Sequence, residues 1–229
     1  MSSAKRKSLL AWVTGVVFVS ILCAHAVSPD PASPKAKPAA LVVSVPRPSP
    51  AYRYTFRVLS GHPEITDRYD DIILENASRR GLNPRLIKAI IAAESEFAGS
   101  ALSPRGARGL MQILPRTAQE LGYSRQALAT PEGNISAGSA YLAILYAAAW
   151  RQYHLKGMAY ADAPLWVQER IVAAYNAGPR ALTRDRWMRQ TRNYVRKVLL
   201  FYHSDVSEFR RSPKRPGPEP LLARVDTLP

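Results

Sequence analysis

Through the middle of the chain, polar and apolar residues recur with the period of an α-helix. In "EITDRYDDIILENASRR", Ile65, Tyr69, Ile72, Ile73 and Ala77 fall on one helical face, and Gly81 closes the run. Asn83 then stands as an N-cap with Pro84 at the first helical position, opening a helix that ends in "AAESEF". "PRTAQELG" predicts a short helix stopped by Gly122, and Asn134 is placed to cap a long one, "ISAGSAYLAILYAAAWRQYHL". "PLWVQERIVAAYNAG" closes at Gly178, and "TRNYVRKVLLFYH" is the last helix. Strand-length alternation is scarce, so the expected fold is a mainly α single domain over 61–205 with flexible ends.

The ends differ in composition. Residues 1–26 carry Lys5, Arg6 and Lys7, an apolar run from Leu9 to Ala24, and the small-x-small pattern "AHA". That is the layout of a cleavable signal peptide; an uncleaved inner-membrane anchor is the alternative. Residues 27–60 open on a Pro-, Ala- and Ser-rich stretch and read as a linker, and 206–229 as a basic, Pro-rich tail. The single cysteine, Cys23, lies in the leader behind Leu22, which does not suit lipid attachment. The exported chain then has no disulfide framework and no thiolate site.

Charge narrows the partner. The chain has 32 Lys+Arg against 17 Asp+Glu, a net +15, and losing Lys5, Arg6 and Lys7 leaves 15 − 3 = +12. Such an excess favours an anionic partner. An exported protein does not meet nucleic acid routinely, so peptidoglycan in the periplasm is the expected polymer, with peripheral membrane association as a second use of the charge. His25, His62, His154 and His203 are scattered without metal-ligand spacing, and neither metal nor cofactor is expected.

The two glutamates of "AAESEF" separate by geometry. At about 100° per residue from Leu86, Glu94 falls at roughly 80°, inside the arc of Leu86, Ile87, Ile90 and Phe97. Glu96 falls at roughly 280°, toward Ala89, Ala92 and Lys88, and is expected in water. A carboxyl on the apolar arc must be paired or protonated. It is either a structural ion-pair partner or a general acid with a raised pKa. Ser95 reads as a local hydrogen-bonding group. Gly106 and Gly109 shape the loop "SALSPRGARGLMQILPRTA", in which Gln112 offers an amide donor and acceptor suited to a sugar acetamido group. Tyr175 and Asn176 are polar handles in "AAYNAGP", where the simpler reading is a helix C-terminus.

Taken in order, "LNPRLIKAIIAAESEF", "SPRGARGLMQILPRTAQELG", "PEGNISAGSAYLAIL", "AAYNAGP" and "TRNYVRKV" resemble the catalytic domain of the soluble lytic transglycosylases. The resemblance implies a lysozyme-like fold related to goose-type lysozyme. It implies that Glu94 is the sole catalytic acid and base, and that Ser103, Gln112, Tyr175 and Asn176 line the sugar site, with Tyr175 pointing toward Glu94. Two motif positions depart: Gln190 stands where relatives often have Glu, and Ala98-Gly99 where they often have Asn-Pro. The implied reaction cleaves the β-1,4 bond between N-acetylmuramic acid and N-acetylglucosamine without water, leaving 1,6-anhydro ends. A water-using muramidase, and a wall-binding accessory of a conjugation or secretion apparatus, are the alternatives.

Overall fold

The computed structural model describes residues 50–210, with side chains from residue 53 onward. The chain divides into Met1–Ala40 and Leu41–Pro229, and all described residues belong to the second unit. The expected signal peptide, residues 27–49 of the linker and the tail beyond 210 lie outside them. Among the described residues no helix is long and apolar enough to cross a membrane.

The architecture is mainly helical, as the periodicity predicts. Eight α-helices are described: α1 (Pro50–Gly61), α2 (Pro63–Thr66), α3 (Asp70–Arg80), α4 (Pro84–Ser95), α5 (Pro115–Glu120), α6 (Pro131–Tyr153), α7 (Leu165–Ala177) and α8 (Arg189–Tyr202). Five of them close a ring of packed neighbours: α4 lies against α8 and α3, α8 against α7, α7 against α6, and α6 against α3.

The start of α4 follows its sequence signal. Asn83 accepts the Arg85 amide at 2.9 Å, and Pro84 occupies the first turn, where its missing N–H costs nothing. Ahead of it, Gly81 ends α3 at φ 64°. The burial of α4 departs from the expected two-sided pattern. Lys88, Ala89 and Ala92, expected toward water, are as completely buried as Leu86, Ile87, Ile90 and Ile91. The helix is enclosed on all sides. Its one fully buried cation, Lys88, is compensated by ion pairs to Asp67 at 3.0 Å and Asp70 at 2.7 Å.

This buried pairing has two consequences for the boundaries. The helix expected to run through 64–80 is broken between α2 and α3, and the break turns both Asp67 and Asp70 toward Lys88. Lys88 also donates to the Glu208 carbonyl at 2.6 Å and lies 4.7 Å from the Phe209 ring centre, while Arg210 reaches Asp67 at 3.4 Å. Residues 206–210 are thereby fastened to the domain rather than belonging to a free tail. At the other end, α1 occupies the last part of the expected linker. Leu59 is buried and Phe56 stacks on Phe201 at 6.0 Å, an apolar contact that draws the segment in.

The long helix also starts earlier than expected. Thr130, not Asn134, caps α6, accepting the Gly133 amide at 3.1 Å. Asn134 sits one turn inside, fully buried, and its side chain turns to the loop beside Glu94 instead.

Candidate active site

Glu94 occupies the last turn of α4, half-buried, where the helix meets the loop 98–114 and the face of α8. Tyr194 on α8 donates its hydroxyl to Glu94 Oε1 at 2.7 Å. Burial pushes the Glu94 carboxyl up to about 7, against the Tyr194 hydrogen bond and the Lys197 charge, both of which favour the carboxylate. No carboxylate contributes to this shift. The group therefore holds a proton close to neutral pH, the requirement for a general acid.

Lys197 lies one turn beyond Tyr194 on the same face of α8. Its ammonium donates to the Ala93 carbonyl at 2.8 Å and stands 3.7 Å from Glu96 Oε1. Burial lowers its pKa, opposed by Glu96 and Glu94. Glu96 is exposed, but not for the reason of helical angle. The helix ends at Ser95, and Glu96 takes the left-handed conformation at φ 52°, which turns it out of the helix altogether.

The loop after α4 is pinned from several directions. Ser95 Oγ is 2.8 Å from the Leu110 carbonyl and 3.1 Å from that of Ile91. It is a local hydrogen-bonding group that ties the helix end to the loop. Arg108 and Ile113 exchange backbone hydrogen bonds of 3.0 and 3.1 Å, and Gly109 donates to the Ala101 carbonyl at 2.8 Å. Asn134 reaches in from α6. It accepts the Met111 amide at 2.8 Å and donates to the carbonyls of Arg108 at 2.9 Å and Leu128 at 3.1 Å. Gly109 is needed twice over: its φ is 71°, and a Cβ there would lie 2.3 Å from Asn134 Nδ2. Gly138 gives Met111 its socket, since a Cβ would lie 2.4 Å from the Met111 sulfur.

The residues expected around Glu94 take distinct positions. Tyr175 is buried and donates to the Met111 carbonyl at 3.0 Å, so its hydroxyl holds the loop rather than the acid. It lies near enough to Glu94 for that charge to help raise its own pKa, after burial. Gln112, at φ 48°, spends both amide hydrogens on Ala101 and Gly109 carbonyls at 3.0 and 2.9 Å, which leaves Oε1 for a ligand. Ser103 Oγ accepts the Ala107 amide at 3.0 Å, and Asn176 is exposed beyond Tyr175. The direct partner of Glu94, Tyr194, is not singled out by sequence. Its only signal is its place in "TRNYVRKV", one hundred residues from the acid.

Fold and site together define a helical domain that keeps one proton-bearing carboxyl at a helix end beside a fixed, glycine-shaped loop. Residues 71–199 match the Transglycosylase SLT domain, and the chain belongs to that family. It is 34% identical over 136 residues to a membrane-bound lytic murein transglycosylase C of Actinobacillus pleuropneumoniae serotype 5b (strain L20), covering 55% of this chain and 35% of that protein. It is 41% identical over 155 residues to an endo-type membrane-bound lytic murein transglycosylase A of Cronobacter sakazakii (strain ATCC BAA-894), covering 63% and 70%. The chain spans about a third of the length of relatives of the first kind. Among solved structures, it is similar to the 70 kDa soluble lytic transglycosylase SLT70 of Escherichia coli, with 25% identity, a TM-score of 0.45, and coverage of 66% of this chain and 28% of that one.

Proposed function

We propose that this protein is an exported lytic transglycosylase that cuts peptidoglycan strands in the periplasm, with Glu94 as both acid and base. The observation that carries the reading is the protonatable Glu94, pushed up to about 7 and held by Tyr194, with no second carboxylate shifting it. Ordinary glycosidases need a second carboxylate roughly 5–9.5 Å away as base or nucleophile. Glu96, the nearest acid in sequence, is turned out toward Lys197. The family and the relatives' names agree with the substrate class.

The reaction balances on one carboxyl. Glu94 gives its proton to the bridging oxygen as the bond from the muramic anomeric carbon to that oxygen breaks. The substrate's own acetamido group stabilises the positive charge left on that carbon. The Glu94 carboxylate then takes the proton of the muramic 6-hydroxyl as its oxygen bonds to the same carbon, and the enzyme returns to its starting state. Gln112 Oε1 is placed to accept from a sugar N–H or O–H, and Leu102 and Leu114 offer exposed apolar contacts on the same loop. Ser103 and Asn176 complete the sugar site in this reading. Digestion of isolated sacculi should release muropeptides one water lighter than hydrolytic products by mass spectrometry. Hydrated reducing ends throughout would instead assign a muramidase, and sacculi bound but undigested would assign a wall-binding role.

The acid role fixes a pH profile. Cleavage needs protonated Glu94, so kcat/KM stays level below about 7 and falls about tenfold per unit above it. The Tyr194 hydrogen bond favours the carboxylate, so Tyr194→Phe raises the Glu94 pKa and moves the falling limb to higher pH. A limb that stays put in Tyr194→Phe would remove the tyrosine from control of the proton.

A further inference from the structure

A groove of about 590 Å³ lies at the opposite end of α4 from Glu94. Leu82, on its wall, lies two residues ahead of α4, and the helix rises about 15 Å from Pro84 to Glu94. Tyr146 and Trp150 line it as a stacked pair with ring centres 3.9 Å apart and planes at 26°. Arg80, Arg151 and Lys156 also line it, and no acidic residue does. None of the three cations has a carboxylate partner among the described residues. Arg151 and Lys156 flank the end of α6, where cations complement the helix dipole whether or not anything binds. Arg80, the last residue of α3, stands at a helix C-terminus as well, but its side chain is also held in place. Its guanidinium is fixed by three neutral oxygens: Asn76 Oδ1 at 2.9 Å, the Tyr123 hydroxyl at 2.9 Å and Ser136 Oγ at 3.2 Å. It is a pre-positioned charge with no counter-charge.

We infer that this groove is a second, non-catalytic binding site for a carboxylate-bearing muropeptide. The inference rests on the substrate class proposed for Glu94 but not on its chemistry. The volume suits a ligand of disaccharide-peptide size. The aromatic pair supplies an apolar wall for a sugar ring, and the three cations supply what the stem-peptide carboxylates require. A neutral glycan meets the first need only. Because the two sites sit at opposite ends of one helix, a strand held in the groove presents its neighbouring stretch to the acid, or a released product remains attached beside it.

The test uses the full chain carrying Glu94→Gln, so that nothing is consumed. The Trp150 indole N–H, held by the Met158 carbonyl at 2.8 Å, is the reporter, assigned by its loss in Trp150→Phe. Titration with a disaccharide bearing its acidic peptide should shift this signal to saturation. The same disaccharide without the peptide should bind there at least about tenfold more weakly, and Arg151→Glu with Lys156→Glu should weaken the full ligand by a similar factor. Both substituted residues are exposed, so the fold is retained. A Trp150 signal that never moves overturns the inference, as does equal binding of the neutral disaccharide. An acidic peptide without sugar that binds as tightly overturns it in favour of a protein partner. These outcomes are independent of strand cleavage. A groove that fails to bind leaves Glu94 untouched, and active Glu94→Gln enzyme would refute the catalytic reading without emptying the groove.

Discussion

Glu94→Gln lowers the rate of strand cleavage by about four orders of magnitude, the upper end of the range expected for loss of a positioned general acid, because one group serves as base as well. The substitution is close to isosteric. The Tyr194 hydroxyl, which donates to Glu94 Oε1 at 2.7 Å, can donate equally to a glutamine oxygen. The helix end keeps its shape and strands still bind, but no transferable proton remains. Burial that now raises the carboxyl to about 7 penalises a charge, so a neutral amide there does not destabilise the fold. The loss falls on kcat with KM little changed. Glu96→Gln is the matched control. It removes only an exposed carboxylate 3.7 Å from the half-buried Lys197 and leaves kcat within about a factor of two, as so long a pair with one partner in water is worth little. Mass spectrometry of released muropeptides reads both variants. An undiminished product pattern from Glu94→Gln would end the single-acid mechanism.

Helical periodicity located what it is able to locate. The cap at Asn83, the glycine stop at Gly81 and the helical class all depend on local chemistry and stand as the sequence suggested. It could place Glu94 apart from Glu96 because one lies within the last helical turn. It misjudged the far side of α4, since a helical wheel assumes that one face meets water. Packing on every side is a tertiary fact, and Lys88 could be buried only because Asp67 and Asp70 arrive from another helix pair. Tyr194 was invisible for the same reason. Its hydroxyl matters through a contact across one hundred residues, and nothing in the local pattern of α8 marks that tyrosine over Tyr202. Tyr175 drew attention through its motif, yet its hydrogen bond is to the Met111 carbonyl. The two tyrosines therefore divide the support of the site. Tyr194 holds the acid, and Tyr175 holds the loop beside it.

Asn134 gives the second large effect, and it separates the two readings of that residue. As an N-cap, Asn134 would tolerate serine or aspartate, and its loss would cost about 1 kcal/mol. As found, its side chain is buried and joins three backbone groups: the Met111 amide and the carbonyls of Arg108 and Leu128. Asn134→Ala leaves a buried N–H without an acceptor and two carbonyls without this donor, at a cost of about 3 kcal/mol or more. The melting temperature should fall by about 6–12 °C for a domain of this size. Asn134→Asp is no remedy, because a carboxylate keeps the acceptor for Met111 but turns its second oxygen on the Arg108 and Leu128 carbonyls. Thr130→Ala, which removes the actual cap, should cost only about 1 kcal/mol. The same three bonds set the loop that carries Gln112, with Tyr175 fixing the Met111 carbonyl from the other side. Activity in Asn134→Ala should therefore drop well below that of Thr130→Ala at temperatures where both remain folded. Equal melting temperatures and equal activities in the two variants would return Asn134 to the role of a cap and detach α6 from the geometry of the site.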